Sequence, residues 1–113
     1  MSQHDDRVRL RHMLDYGQEA LALTKGKQRA DLESDHILAL ALTRLLEIVG
    51  EAANRVSQET QKQYPQIPWR QIVGLRHRLV HGYDAVDLDI LWDIIEQDLP
   101  PLIIALDGIV EGK

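Results

Sequence analysis

The chain has 113 residues, no cysteine and a formal net charge of −5, with 44% hydrophobic and 27% charged residues. These figures exclude a disulfide framework and any thiolate metal ligand or nucleophile, and the length gives room for one domain, residues 1–113. No apolar run approaches the roughly 20 residues that span a bilayer, and the acidic balance argues against broad nucleic-acid binding, which runs on cations neutralising phosphates.

The first six residues, Met1 to Asp6, are polar and acidic, unlike a signal peptide, so a cytoplasmic location is expected. Phe is absent and aromatic residues amount to 4%; strands lean on aromatic and β-branched side chains, so packed helices are favoured. Over residues 5 to 25, Leu10, Met13, Leu14, Gly17 and Leu21 trace one helical face, while Arg7, Arg9, Arg11 and Lys25 lie mainly off it and read as a solvated face. Gly26 is a helix stop.

The longest helical pattern runs from 31 to about 61. Leu38, Leu42, Leu45, Val49, Ala52 and Val56 form a seam stepping by four and three, with Asp31 or Ser34 as the expected N-cap. The small residues around Gly50 imply close approach of another helix. Arg44, Glu47, Glu51 and Arg55 read as intrahelical ion pairs.

Pro65 and Pro68 break the pattern. Pro68 suits the first turn of a third helix carrying Trp69, Ile72, Val73, Leu75, Leu79 and Val80 on its apolar face. Asp87 caps a fourth helix with Leu88, Leu91, Trp92, Ile95 and Leu99 inward. Pro100 and Pro101 kink it or begin a fifth, which ends through Gly108 and Gly112. No strand-period segment is evident. The expected fold is an all-α bundle of four to five helices, with a core small enough that a dimer would extend it.

The chemistry concentrates in residues 75–83, where Arg76, His77, Arg78, His81 and Tyr83 crowd together. In an unbroken helix Arg76 and His81 would point about 140° apart and be offset by about 7.5 Å. They share a site if the helix ends near His81, or if two chains meet there. Gly82 supports an end at that point, which would set His81 at the negative end of the helix dipole and favour its imidazolium. The guanidinium of Arg76 matches phosphate oxygens in a two-point contact, and His81 can exchange protons. Together they suit cleavage of RNA by its own 2′-hydroxyl, with no metal or other cofactor. The competing account is a helix end stabilised by cations, worth about 0.3–1 kcal/mol each. His77 and His81 are four apart, as in some metal sites, but no further ligands accompany them.

At these residues the sequence resembles a known family. Arg76, four residues, His81, one residue, then Tyr83 reproduces the Arg-x4-His-x-Tyr motif of HEPN-domain ribonucleases. The stretches 48–54, 64–69, 74–83 and 86–92 are similar, in order and spacing, to the HepT toxin branch. His77 departs from an Asn common in the family, though a polar residue is kept.

The resemblance implies a homodimeric HEPN-type bundle and an endoribonuclease toxin of a toxin–antitoxin pair. In it, His81 is the catalytic acid or base and Arg76 holds the phosphate. His77, Arg78 and Glu51 are the supporting residues expected near the cleft. The substrate is RNA, tRNA or mRNA, with single-stranded loops more accessible than duplex. The implied partner is an MntA-like minimal nucleotidyltransferase antitoxin that adenylylates Tyr83. The alternative is a non-catalytic helical subunit that presents a nucleotide or substrate to such a nucleotidyltransferase.

Overall fold

The computed structural model describes residues 3–82 and 85–112. Helix α1 (Gln3–Thr24) runs out, a single turn α2 (Asp31–Ser34) reverses the chain, and α3 (His36–Arg55) returns along α1. The seam read from sequence is the face that α3 buries, with Leu42 and Val49 fully buried and Leu38, Leu45, Ala52 and Val56 nearly so. Each fully buried Leu or Val contributes about 1.5–3 kcal/mol relative to exposure, so this face carries much of the core.

The 31–61 pattern is not one helix. Asp35 leaves helical geometry (φ −119°, ψ 89°), and its carboxylate accepts from the Leu38 N–H at 3.0 Å. The N-cap of α3 is therefore Asp35, not Asp31 or Ser34. At the other end Val56 is extended, and Ser57 caps a short α4 (Gln58–Gln63) by accepting from the Thr60 N–H. Asp and Ser hydrogen-bond to nearby backbone and so compete with helix continuation; heptad spacing alone does not register that competition.

Pro68 precedes α5 (Trp69–Val73), and Gly74 separates it from α6 (Leu75–Leu79). A Cβ built on Gly50 would stand 2.8 Å from the Ile72 carbonyl oxygen, closer than real Cβ contacts allow. Gly50 thus lets α5 rest directly on α3, as its small neighbours suggest.

After α6 the chain forms a two-residue hairpin, β1 (Val80–His81) against β2 (Ala85–Val86), paired Val80 to Val86 and His81 to Ala85. This pairing has no counterpart in the sequence pattern, because two residues are too few to show a period. Helix α7 (Leu88–Asp93) passes through a π-helical turn, Ile94–Asp98, into α8 (Leu99–Val110). Pro100 and Pro101 cannot donate to the preceding turn and their rings crowd its carbonyls. The wider turn relieves both, so the helix continues instead of breaking. The result is an all-α bundle of four helical arms (α1, α3, α5–α6 and α7–α8) around one cluster of buried residues. Among the described residues no helix is long and apolar enough to cross a membrane.

Candidate active site

Helix α6 and the strand beyond it hold Arg76, His77, Arg78 and His81, and Glu51 lies on α3. Helix α6 ends at Leu79 and Val80 is already extended (φ −109°, ψ 123°), two residues earlier than the sequence reading places the stop. His81 lies in β1, so it does not sit in a last helical turn and the dipole argument does not apply to it. Gly82 does adopt the left-handed conformation (φ 77°), at the turn of the hairpin instead of behind a helix. The change of direction at Val80 takes His81 off the helical course that would have turned it away from Arg76. Tyr83 lies outside the described residues.

Arg76 is 70% exposed, and its Nε donates to Glu47 Oε2 at 2.7 Å. Glu47, on α3, is only 17% exposed, so it is a fixed anchor. A charge-assisted hydrogen bond of this length is among the stronger ones, and it uses one of the five guanidinium N–H donors. The Nη donors remain for a phosphate. Glu47 also faces Arg44 (3.7 Å), which reaches Glu51 at 3.2 Å. Glu51 thereby joins Arg76 through a chain of alternating charges along α3.

His81 is 61% exposed, and its Nε2 stands 3.8 Å from Asp87 Oδ2. That distance is ion-pair range, not a hydrogen bond. Asp87 is held at side chain and backbone: its Oδ1 accepts from the Ile90 N–H at 3.0 Å as the cap of α7, and its own N–H donates to the Leu79 carbonyl at 2.8 Å. A carboxylate fixed at the start of α7 thus faces an exposed imidazole across 3.8 Å.

The structure does not gather every predicted residue. Arg78 points to Asp98 on the π-helical turn at 3.4 Å, away from the Arg76 network. His77 is exposed on α6. Conversely, sequence reasoning identified neither Glu47 as the partner of Arg76 nor Asp87 as the neighbour of His81. Glu47 is 29 residues from Arg76, beyond any local spacing rule. Asp87 was legible as a cap, and only the hairpin brings its second oxygen to the histidine.

Among the described residues no group of three or more His, Cys, Asp or Glu is arranged to hold a metal. A concavity of about 710 Å³ between α1, α4 and the end of α8 holds none of the predicted residues. Its lining includes Arg7 and Arg11 and also Asp6 and Asp15, two formal charges of each sign. The cationic and titratable groups at the hairpin lie on open surface instead, where a polymer can reach them. A permanent cation with free donors can bind a phosphodiester, and an exposed imidazole can move a proton.

Comparison with known proteins points the same way. The family model described as ribonuclease HepT-like matches residues 13–109. The candidate RNase MJ1380 of Methanocaldococcus jannaschii is 30% identical over 102 residues, covering 90% of this chain and 94% of its own. The candidate RNase TTE0752 of Caldanaerobacter subterraneus is 33% identical over 93 residues, 82% of this chain and 83% of its own. A protein of Thermococcus cleftensis named as a probable ribonuclease HepT is 36% identical over 72 residues, 64% of this chain and 66% of its own. No solved structure gives a significant match.

Proposed function

Because this chain belongs to the HepT-like ribonuclease family, we propose that it is a metal-independent endoribonuclease, the toxin of a toxin–antitoxin pair, with Arg76 and His81 as its catalytic residues. The observation that carries this reading is the pair of buttressed, exposed groups: Arg76 anchored through Nε by Glu47, and His81 beside the fixed carboxylate of Asp87. In the reaction, a ribose 2′-oxygen bonds to its own phosphorus and the bond from phosphorus to the 5′-oxygen breaks. His81 takes the 2′-hydroxyl proton, and its imidazolium returns one to the departing 5′-oxygen. The Nη donors of Arg76 stabilise the pentacovalent anion between the two steps.

A homodimer completes the cleft in this reading. On the outward face of α3, Ile37 and Leu40 are 79% and 52% exposed. At spacings of three and four they continue into Arg44, Glu47 and Glu51 on the same stripe. An apolar start to the stripe that anchors Arg76 supports docking of a second copy there, with two sites sharing one groove.

Tyr83 is the regulatory handle in this reading. Its phenolic oxygen attacks the α-phosphorus of ATP on a minimal nucleotidyltransferase, pyrophosphate leaves, and the adenylate adds bulk and negative charge where substrate phosphate must sit. The test is expression in a bacterial host, alone and with a minimal nucleotidyltransferase. The unmodified chain arrests growth, Arg76→Ala and His81→Ala do not, and co-expression adds adenylate mass at Tyr83 and restores growth. Arrest by both variants at wild-type strength contradicts the assignment.

A further inference from the structure

A shallow groove of about 450 Å³ runs between α1 and α3 on the side of the molecule that carries Arg44 and Glu51. Three arginines line it: Arg9 from α1, and Arg44 and Arg55 from α3. His12 adds a titratable imidazole, and two carboxylates, Asp5 and Glu51, also line it. Arg44 answers Glu51 at 3.2 Å, whereas the ion pairs of the described residues involve neither Arg9 nor Arg55. The Arg9 guanidinium is steered by one hydrogen bond to the Asp5 carbonyl, at 3.2 Å, which leaves its charge uncompensated by that partner. A positive surplus here stands out on a chain of net charge −5, and Ile48 and Ala52 give the groove an apolar floor.

The position of this groove gives it meaning. Arg44 belongs both to its lining and to the charge chain that passes through Glu47 to Arg76. A backbone held at Arg76 can therefore continue to Arg44 past Glu47, a carboxylate that both arginines answer. Arg44 and Arg55 are eleven residues apart on α3, or about 16 Å along its axis. That length accommodates several phosphates of a single strand, whose stacked bases repeat at about 3.4 Å.

We propose that the groove between α1 and α3 is a binding subsite for single-stranded RNA flanking the scissile bond, with Arg9 and Arg55 as its phosphate contacts. The proposal rests on the ribonuclease reading for the identity of the strand. It assigns the apolar start of the α3 stripe to a second copy and the basic end to substrate. Arginines on neighbouring helices that are spent on no carboxylate have the chemistry of a backbone track, not of base recognition, so the subsite tolerates any sequence.

The test uses the full chain carrying His81→Ala, to prevent cleavage, and a labelled single-stranded RNA of about twenty nucleotides. Binding is measured by anisotropy across a salt series, with and without Arg9→Gln and Arg55→Gln together. Loss of two phosphate contacts should raise Kd about tenfold in low salt and reduce the slope of log K against log salt by about 1.4, at about 0.7 per contact. Arg9→Lys with Arg55→Lys, which keeps the charge, should recover most of the slope. Thermal melting of each variant shows that the fold is retained. An unchanged Kd and slope in the folded double variant would overturn the subsite. Equal weakening by the lysine variant would overturn it too, as would preferential binding of an acidic protein over RNA. Because binding is read without catalysis, a chain that cleaves no RNA yet shows the Arg9 and Arg55 dependence retires the ribonuclease reading and keeps the groove.

Discussion

Two carboxylates in this molecule are each built into the start of a helix, and they do opposite things. Asp6 is 3% exposed and fully used: its oxygens accept from the Ser57 N–H (2.9 Å), the Ser57 hydroxyl (2.6 Å) and the Thr60 hydroxyl (2.6 Å). Asp87 gives one oxygen to the cap of α7 and leaves the other facing an exposed histidine. The Asp6 cluster ties α1 to the start of α4 and offers nothing to a ligand. The Asp87 cluster has spare capacity that faces outward. Polar groups that satisfy one another hold the fold, whereas those left partly satisfied at the surface are available for chemistry.

Mutations sharpen this contrast, the largest effect lying on the outward side. His81→Ala and Arg76→Ala should each lower RNA cleavage by about 10²–10⁴-fold, the range for losing a proton-transfer group or a charge stabiliser. Thermal melting should move little, because both side chains are mostly exposed.

Asp6→Ala should do the reverse. It strands the Ser57 and Thr60 donors and should destabilise by about 2–3 kcal/mol in urea unfolding, with cleavage per folded molecule retained. Burial pushes the Asp6 carboxyl up, but the hydrogen bonds from Ser57 and Thr60 outweigh it and hold it below its ordinary value. Its stabilisation is therefore complete above about pH 4 and lost as pH falls through the lowered native value. The wild type should lose stability over that acid range, and the alanine variant should show a flatter profile.

Asp87 divides between the two roles. Asn caps helices about as well as Asp, so Asp87→Asn should keep the melting temperature while lowering kcat about tenfold through loss of the charge beside His81. Asp87→Ala should add a cap loss of about 1 kcal/mol. Equal kcat in the wild type and the Asn variant would leave Asp87 a cap and nothing more. The smallest effect is expected at Arg78→Gln. It breaks an exposed pair with Asp98 and should change stability by less than about 1 kcal/mol.

The helical plan was legible because the buried seam of α3 and the inward face of α7 repeat at helical spacing. The breaks were less so. Asp35 and Ser57 stop helices by side-chain hydrogen bonds that compete locally with the ladder, and a π-helical turn absorbs two prolines that the pattern reads as a kink or the start of a new helix. In the candidate site, the Arg76, His81 and Tyr83 spacing singled out the stretch, but not the contacts around it. Glu47 and Asp87 reach their partners only through the packing of α6 on α3 and through a hairpin of two residues per strand. Such contacts depend on tertiary closure, which carries no periodicity.

The central claim is that Arg76 and His81 cleave RNA by internal attack of the 2′-hydroxyl. Its most direct test is incubation of the purified chain with single-stranded RNA in EDTA, followed by analysis of the new ends. The account predicts cleavage that leaves a 2′,3′-cyclic phosphate, or its opened form, and a 5′-hydroxyl, with none at a nucleotide whose 2′-hydroxyl is replaced by hydrogen. Cleavage that needs a divalent metal, leaves a 5′-phosphate, or proceeds equally on DNA would contradict it.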